Sequence, residues 1–96
     1  MIVIWSPEAS DDLIRLNDFL AIVAPNAAIK AVVSLSRAPD RLINFPRIGT
    51  RLAGFNPREV RRLIIGSYEM RYEVQEDVIY IVRIFHTLED RPFGDA

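Results

Sequence analysis

Three basic residues in the second half of the chain could act together on a phosphodiester. His86 is the single histidine, Arg83 lies three positions before it, and Arg61 lies in an earlier apolar run. Histidine is the side chain that exchanges protons most readily near neutral pH. If the fold brings the three together, His86 could take the 2′-hydroxyl proton of RNA while the arginines stabilise the charged phosphorane. A histidine at a strand end can instead be structural, capping the strand through a hydrogen bond.

A second group of cations lies in the middle of the chain. Eleven of the twelve basic residues are arginine, and five arginines fall within sixteen residues that contain one acidic residue, Glu59. These five are Arg47, Arg51, Arg58, Arg61 and Arg62. Arginine is the cation best suited to bidentate contacts with carboxylate or phosphate. The cluster therefore predicts a binding rim for a macromolecule, unless its members are solvated and form only scattered surface ion pairs.

Composition excludes several kinds of site. With no cysteine and one histidine, we predict no disulfide, no thiol nucleophile and no metal site. The isolated glycines form no phosphate-binding loop, so we predict no cofactor. No apolar run approaches the roughly 20 residues of a membrane span, and the first residues do not resemble a secretory signal, which predicts a cytoplasmic protein. The length of 96 residues predicts one domain, 1–96, and the net charge of −1 gives no general attraction to nucleic acid.

The elements that must position the basic groups begin with the stretch 59–86. Residues 67–75 alternate between polar and apolar side chains, which is the period of a half-buried strand. The apolar runs Val60–Ile65 and 78–85 flank it across two short polar breaks. Three strands joined by such short turns form an antiparallel meander. The apolar run Ile2–Trp5 is expected to add a fourth strand.

Two helices are predicted between the first strand and the meander. Ser6-Pro7 favours a helix start, since serine can cap the first turn and proline fits the first helical position. Apolar residues then recur every three or four positions until Pro25, which ends the first helix and begins the second. Pro39 should kink the second helix or split off a short helix over about 39–44. The two main helices form a helical hairpin.

These elements predict an α+β fold, with an N-terminal strand, a helical hairpin and then a three-stranded antiparallel meander. The helices should cover one face of the sheet. The other face bears Glu69, Arg71 and Glu73, and is expected to be wet or open to another protein. Residues 45–57, which hold two glycines and two prolines, are predicted as a loop. The polar tail 87–96 is expected to be mobile or held by a partner.

Taken together, these residues resemble the ParE/RelE toxin superfamily of bacterial type II toxin–antitoxin modules. The similarity extends from residue 4 to about residue 90, which is nearly the whole chain. Its marks, in order, are Trp5-Ser6-Pro7-Glu8-Ala9 with Asp12-Leu13, Pro25-Asn26-Ala27-Ala28, Leu42 with Phe45-Pro46 and Gly49, Val60-Arg61 with Leu63, Tyr68 with Tyr72, and Ile84 with His86. The order and spacing of these marks, more than any one of them, make the resemblance.

The resemblance implies a growth-inhibiting toxin of a plasmid-stabilisation module, held by a cognate antitoxin in a toxin–antitoxin hetero-oligomer. ParE-like members poison DNA gyrase and are not nucleases, whereas RelE-like members cleave mRNA on the ribosome. Many members carry further basic residues just after the histidine, where this chain has Thr87-Leu88-Glu89-Asp90. This departure and the near-neutral net charge favour a ParE-like gyrase inhibitor over an enzyme.

The alternatives assign different roles to the basic residues. In a RelE-like ribosome-dependent mRNA endonuclease, His86, Arg61 and Arg83 would be catalytic. In a ParE-like toxin, the arginines would receive acidic residues of the antitoxin or of DNA gyrase; they are Arg47, Arg51, Arg58, Arg61, Arg62 and Arg71. The antitoxin would lay an extended or helical segment along the helical hairpin and the sheet. A third alternative is a diverged, non-toxic member of the superfamily.

Overall fold

The structure, a computed structural model, describes residues 1–87. Its elements, in chain order, are β1 Ile2–Trp5, α1 Pro7–Val23, α2 Pro25–Arg37, α3 Pro39–Asn44, β2 Thr50–Arg51, a 3₁₀ turn Ala53–Phe55, β3 Val60–Ile65, β4 Tyr68–Gln75 and β5 Val78–His86. The strands form one sheet in the order β1-β5-β4-β3-β2. The acidic pair Glu89-Asp90 and all of the predicted polar tail after Thr87 lie outside the described residues.

The predicted α+β architecture is confirmed. Strands β3, β4 and β5 form the antiparallel meander, and Gly66 supplies a left-handed backbone conformation, with φ of 59°, at its first turn. Strand β1 pairs with β5 in parallel, with Ile2 opposite Val78 and Trp5 opposite Ile81. A parallel pairing is possible here because the whole helical region and three further strands separate β1 from β5 in sequence.

The prolines determine where the helices begin. Ser6 caps α1, with its Oγ accepting a hydrogen bond of 2.9 Å from the Ala9 N–H, and Pro7 occupies the first helical position. Pro25 opens α2 in the same way. At Pro39 the helix is split rather than kinked, so α3 is a separate helix of six residues.

The core lies between the helices and one face of the sheet. Its buried members alternate along the strands and recur along one stripe of each helix, as the sequence pattern requires. They include Ala9, Leu16, Leu35, Leu42, Leu63, Met70, Tyr72, Ile79, Ile81 and Ile84. Burial of these apolar side chains is the main force that holds the hairpin on the sheet.

The predicted loop over 45–57 contains two short elements that the sequence did not predict. Thr50 and Arg51 pair with Arg62 and Arg61 to form the short edge strand β2, and the chain then turns through Ala53–Phe55. A strand of two residues has no apolar alternation of its own. It forms because β3 presents an edge with free backbone groups.

The expectation of a wet second face is wrong. We call this side, away from the helices, the far face. Glu69, Arg71 and Glu73 lie there at only 1%, 7% and 6% exposure. The chain after β2 folds back so that the buried ring of Phe55 approaches Arg71. The guanidinium carbon of Arg71 lies 5.8 Å from the Phe55 ring centre and 5.2 Å from that of Phe85, so the cation is enclosed by two aromatic rings.

Beyond the end of β1, the start of α1 provides hydrogen-bonding partners for the backbone at the edge of β5. Tyr72 faces Ile81 while Arg71 faces Arg83, so Val82 is an extra residue, a β-bulge, in β5. The Ser6 hydroxyl donates to the Val82 carbonyl at 3.0 Å, which gives the carbonyl group of the bulge a hydrogen-bond partner. The first turns of α1 therefore take the place of a longer β1.

Candidate functional site

One group of predicted binding residues meets around a carboxylate. We call it the Glu59 cluster; it consists of Arg47, Glu59 and Arg61. Arg47 Nε and Nη2 lie 2.9 and 3.0 Å from the two Glu59 oxygens, and Arg61 Nε lies 2.8 Å from Oε2. Arg61 Nη1 also donates to the Gly49 carbonyl at 2.8 Å. The bidentate pair fixes the Arg47 guanidinium, and the contacts of Arg61 with Glu59 and Gly49 hold the loop before β2 against β3.

Tyr72 and Gly49 form the floor below this cluster. The Gly49 N–H donates to the Tyr72 hydroxyl at 2.9 Å, and both residues are buried. Burial raises the pKa of the Tyr72 phenol, so it stays protonated at neutral pH. Only glycine fits at this approach, because an added Cβ would lie 2.5 Å from the Arg62 carbonyl oxygen.

Three of the other predicted binding arginines lie on the far face, whereas Arg51 pairs with Arg61 and shares its side of the sheet. We call this set the far-face cluster; its members are Arg58, Arg62, Glu69, Arg71 and Glu73. Arg58 Nη2 lies 2.7 Å from Glu73 Oε1, and Arg71 Nε lies 2.8 Å from Glu69 Oε2. Arg62 Nη1 is 3.6 Å from Glu69 Oε1. The arginines that are adjacent in sequence are thus divided between two faces of the sheet, because Arg61 and Arg62 alternate on β3.

Exposure separates the six predicted binding arginines into two kinds. Arg61 and Arg71 are held within the protein by their carboxylate partners. The remaining four keep exposed side chains: Arg47, Arg51, Arg58 and Arg62. Arg51 donates to the Asn56 side chain at 3.1 Å. Among the six, only these four are open to solvent.

The three residues of the hypothetical nuclease site are not brought together. His86 of β5 pairs with Tyr68 of β4, whereas Arg61 of β3 pairs with Tyr72 of β4. Tyr68 and Tyr72 are four residues apart on β4, so Arg61 and His86 are separated by about 13 Å along the strand direction. Arg83 faces Arg71, on the side of β4 opposite to Tyr68, so it lies on the other face of the sheet from His86.

Arg83 is instead bound to a residue that sequence analysis did not select, Asp12 on α1. Arg83 Nε and Nη2 lie 2.8 and 3.1 Å from the two Asp12 oxygens, and the Ile84 N–H donates to Asp12 Oδ2 at 2.8 Å. Asp12 is only 4% exposed. The signal for it was its position on the stripe of Ala9 and Leu16, where a carboxylate must have buried partners.

The helical hairpin exposes an apolar groove between α1 and α2, which we call the hairpin groove. Its volume is about 340 Å³, and its lining residues are Leu13, Ile14, Asn17, Ile29, Val32 and Val33. Ile14 and Ile29 are 59% and 64% exposed. Contiguous exposed aliphatic side chains mark a site of interaction with another macromolecule more often than a random surface does.

The described part of the chain offers neither a metal-binding cluster nor a membrane-spanning helix. Residues 1–87 contain no group of three or more acidic or histidine side chains that could hold a metal ion. Within the same range, no helix has both the length and the apolar character needed to cross a membrane.

The fold and these surfaces define a small α+β domain with an apolar groove on the helical layer and ion-paired arginines on the sheet. The family model described as "ParE toxin of type II toxin-antitoxin system, parDE" matches residues 3–91. The chain belongs to this family, and it is the toxin of a type II toxin–antitoxin system. Membership implies a cognate antitoxin as its partner, and the resemblance to the ParE/RelE superfamily is confirmed.

Individual proteins agree with this assignment. The chain is 34% identical over 84 residues to "Toxin RelE2" of Caulobacter vibrioides, covering 88% of this chain and 92% of the relative. It is 34% identical over 90 residues to "Toxin RelE3" of the same organism, with the same coverage of 88% and 92%. A solved structure titled "Chromosomal ParDE TA system from P. aeruginosa" shares the fold at a TM-score of 0.73 and 24% identity, covering 90% of this chain and 95% of that one.

The carboxylates of the two clusters make stability depend on pH. Burial by itself raises the pKa of Glu59 and Glu73, but hydrogen bonds from Arg61 and Arg47 to Glu59, and from Arg58 and Gln75 to Glu73, leave both pKa values below the ordinary one. In acid the unfolded chain therefore binds more protons than the folded chain. The stabilisation is complete above about pH 4.5, the ordinary glutamate value, and is lost as the pH falls further.

We therefore expect the free energy of unfolding, measured by urea titration, to fall between pH 5 and pH 3, as linkage requires. The double variant Glu59→Gln and Glu73→Gln should show a flatter dependence over the same interval, because neither amide titrates. An equal slope in the variant and the parent would mean that these two carboxylates do not contribute. Glu76→Gln, in the exposed β4–β5 turn, is the matched control.

Proposed function

We propose that this toxin inhibits growth by binding DNA gyrase, and not by cutting RNA, and that its antitoxin silences it through the hairpin groove. The observation that supports the first part is the engagement of the arginines required for catalysis. Arg61 and Arg83 each hold a carboxylate, Glu59 and Asp12, and neither lies beside His86. A phosphorane needs cations that are directed at it in advance, and these cations are directed elsewhere.

The exposed arginines give the protein a means of binding an acidic protein surface. Arg47, Arg51, Arg58 and Arg62 lie at one end of the sheet, around β2 and the start of β3. Charges on a rim mainly steer association and select partners, while apolar anchors supply affinity. This division of roles fits a toxin with two protein partners, an antitoxin and gyrase.

The hairpin groove fits an amphipathic segment of the antitoxin. Ile14 on α1 and Ile29 on α2 line it from opposite sides. Docking of a helix or an extended segment with aliphatic anchors would remove both from water. Because the groove lies on the layer opposite the far-face cluster, the antitoxin would leave Arg58 and Arg62 uncovered unless a second part of it reaches around the sheet.

Replacement of a groove isoleucine tests the antitoxin site. We expect Ile29→Asp to weaken binding of the cognate antitoxin by about 2 kcal/mol, or roughly 30-fold, because a charge would be buried in an apolar contact. Isothermal titration calorimetry with purified antitoxin measures this. Ile22→Asp is the control, since Ile22 is 85% exposed near the end of α1 and does not line the groove. Equal losses in both variants would contradict a site in the groove.

Induction in bacteria tests the target. We expect filamentous cells with DNA damage, intact mRNA in primer extension, and inhibition of DNA supercoiling by gyrase in the presence of the purified protein. His86→Ala should retain the growth defect if the toxin acts on gyrase. In a nuclease, loss of the general base would instead reduce the activity by about 10²- to 10⁴-fold. Cut mRNA, together with loss of toxicity in a folded His86→Ala protein, would reject the proposal.

The alternative of a ribosome-dependent mRNA endonuclease has one observation in its favour. Two relatives at 34% identity are named Toxin RelE2 and Toxin RelE3, and RelE-like toxins cleave mRNA. In that case Arg61 and Arg83 would have to leave Glu59 and Asp12 when the protein binds the ribosome. The primer-extension experiment above distinguishes the two functions directly.

A further inference from the structure

A second cleft, distinct from the hairpin groove, lies where α2 meets the turn between β3 and β4. Its volume is about 410 Å³, and Lys30, Ser34, Ser67, Tyr68 and His86 contribute its polar lining. Leu20, Ala27, Ala31 and Ile65 form its apolar part. This size falls within the usual range of small-molecule sites, roughly 300–1,000 Å³.

From this lining we propose that the cleft binds a phosphomonoester of about the size of a nucleoside monophosphate, with Lys30 as its phosphate-binding cation and the His86 ring beside it in the lining. The inference goes beyond the proposed action on gyrase and does not depend on it. It also involves no covalent step, since binding alone is inferred.

The charge of the cleft points to an anion. Lys30 is the only lysine of the chain and His86 the only histidine, and both line this one cleft. The described lining residues include no acidic side chain. Lys30 has no carboxylate within ion-pair distance among residues 1–87, in contrast to Arg47, Arg58 and Arg61, which are all held by glutamates. A flexible ammonium group is a suitable point charge for phosphate.

The hydroxyl groups supply neutral donors around that charge. Ser34 lies four residues after Lys30 on α2, so both side chains occupy the same face of the helix. Ser67 lies in the turn opposite, and Tyr68 follows it at the start of β4. Burial raises the pKa of Tyr68, so its hydroxyl keeps its proton at neutral pH and can donate to an oxyanion.

The shape of the cleft favours an organic phosphate over a bare ion. The rings of Tyr68 and His86 meet edge to face, with centroids 5.5 Å apart and planes at 86°, and so form an aromatic corner. Ala27 and Ala31 have small side chains, which leaves room for a ligand on the α2 side of the cleft. A Cβ built on Gly66 would meet no atom within 4 Å, so the space above the turn is open. An aromatic base could contact the corner while its phosphate reaches Lys30.

The single histidine and single lysine make the test direct, because each gives one set of side-chain NMR signals. We expect 5′-AMP, added to the full chain, to shift the His86 imidazole and Lys30 ε-methylene signals in a saturable way, with a Kd of order 1 mM. Inorganic phosphate should shift both signals, and adenosine should bind at least about tenfold more weakly than 5′-AMP. A stronger response to 5′-AMP than to phosphate identifies an organic ester as the ligand, whereas equal responses identify free phosphate.

Two variants distinguish a specific site from general attraction. Lys30→Met should weaken 5′-AMP binding about tenfold. Arg37→Met removes the same charge from the same helix but outside the cleft, and it should leave binding unchanged. The proposal is overturned if neither signal moves, if adenosine binds as well as 5′-AMP, or if the two variants weaken binding equally. All of these outcomes can be read on the folded protein, since both substituted residues are exposed.

Discussion

Replacement of Asp12 by alanine is expected to lower the free energy of unfolding by about 3–5 kcal/mol, the cost of removing one partner of a buried ion pair. Asp12 holds both nitrogens of the Arg83 fork and also accepts from the Ile84 N–H. The variant would leave a guanidinium without its carboxylate and a buried backbone donor without an acceptor. Urea unfolding followed by circular dichroism measures the loss.

Two comparisons identify the cause. Asp11→Ala removes a carboxylate from the adjacent, exposed position of α1, so only a helix-dipole effect below about 1 kcal/mol is expected. In the double variant Asp12→Ala with Arg83→Met, the loss in free energy of unfolding should be smaller than the sum of the two single losses by about 0.5–3 kcal/mol. The reason is that the double variant contains no Arg83 guanidinium that has lost the Asp12 carboxylate. Strict additivity would show that Asp12 does not act through Arg83.

The second large effect is expected for Gly49→Ala, at about 2–4 kcal/mol of destabilisation. The new methyl group would lie 2.5 Å from the Arg62 carbonyl oxygen and 2.7 Å from the Tyr72 hydroxyl. The loop would have to move away from β3, which breaks the hydrogen bond from the Gly49 N–H and disturbs the contact with Arg61. The same urea titration measures the change.

Tyr72→Phe separates the two components of that effect. It removes the hydroxyl and its hydrogen bond without adding volume, so a loss of only about 1 kcal/mol is expected. In the Gly49→Ala background it should restore little stability, because the shortest contact is with backbone and remains. Substantial rescue by Tyr72→Phe would place the strain on the phenol instead.

Sequence periodicity was sufficient for the parts of the fold that bury apolar faces. The alternation over 67–75 predicted β4, and the prolines at positions 7 and 25 predicted the beginnings of the two main helices, while Pro39 predicted either a kink or the separate short helix that is observed. These signals are local, so a single sequence contains them in full. The parallel pairing of β1 with β5 and the edge strand β2 depend on distant partners, and no local pattern specifies them.

The candidate site was less predictable, because it depends on which charges meet. Proximity in sequence suggested one arginine rim, but alternation along β3 sends Arg61 and Arg62 to opposite faces. Glu69 and Glu73 look like solvent-facing residues in an alternating strand, but Phe55, Phe85 and the arginine partners cover them on the far face. Asp12 was visible as an acidic residue on an apolar stripe, although its partner on β5 was not.

The pairing of the first strand with the last one has a consequence for synthesis. During translation, β1 and α1 emerge first, but the strand that both must contact is β5, and the Ser6 hydroxyl reaches a carbonyl 76 positions later in sequence. A nascent chain that extends only to the end of β4 therefore lacks the strand with which β1 pairs and against which the start of α1 packs. Such long-range contacts slow folding and postpone closure of the structure until β5 is available. Premature termination before β5 should accordingly yield an inactive product with an exposed hairpin, not a smaller working toxin.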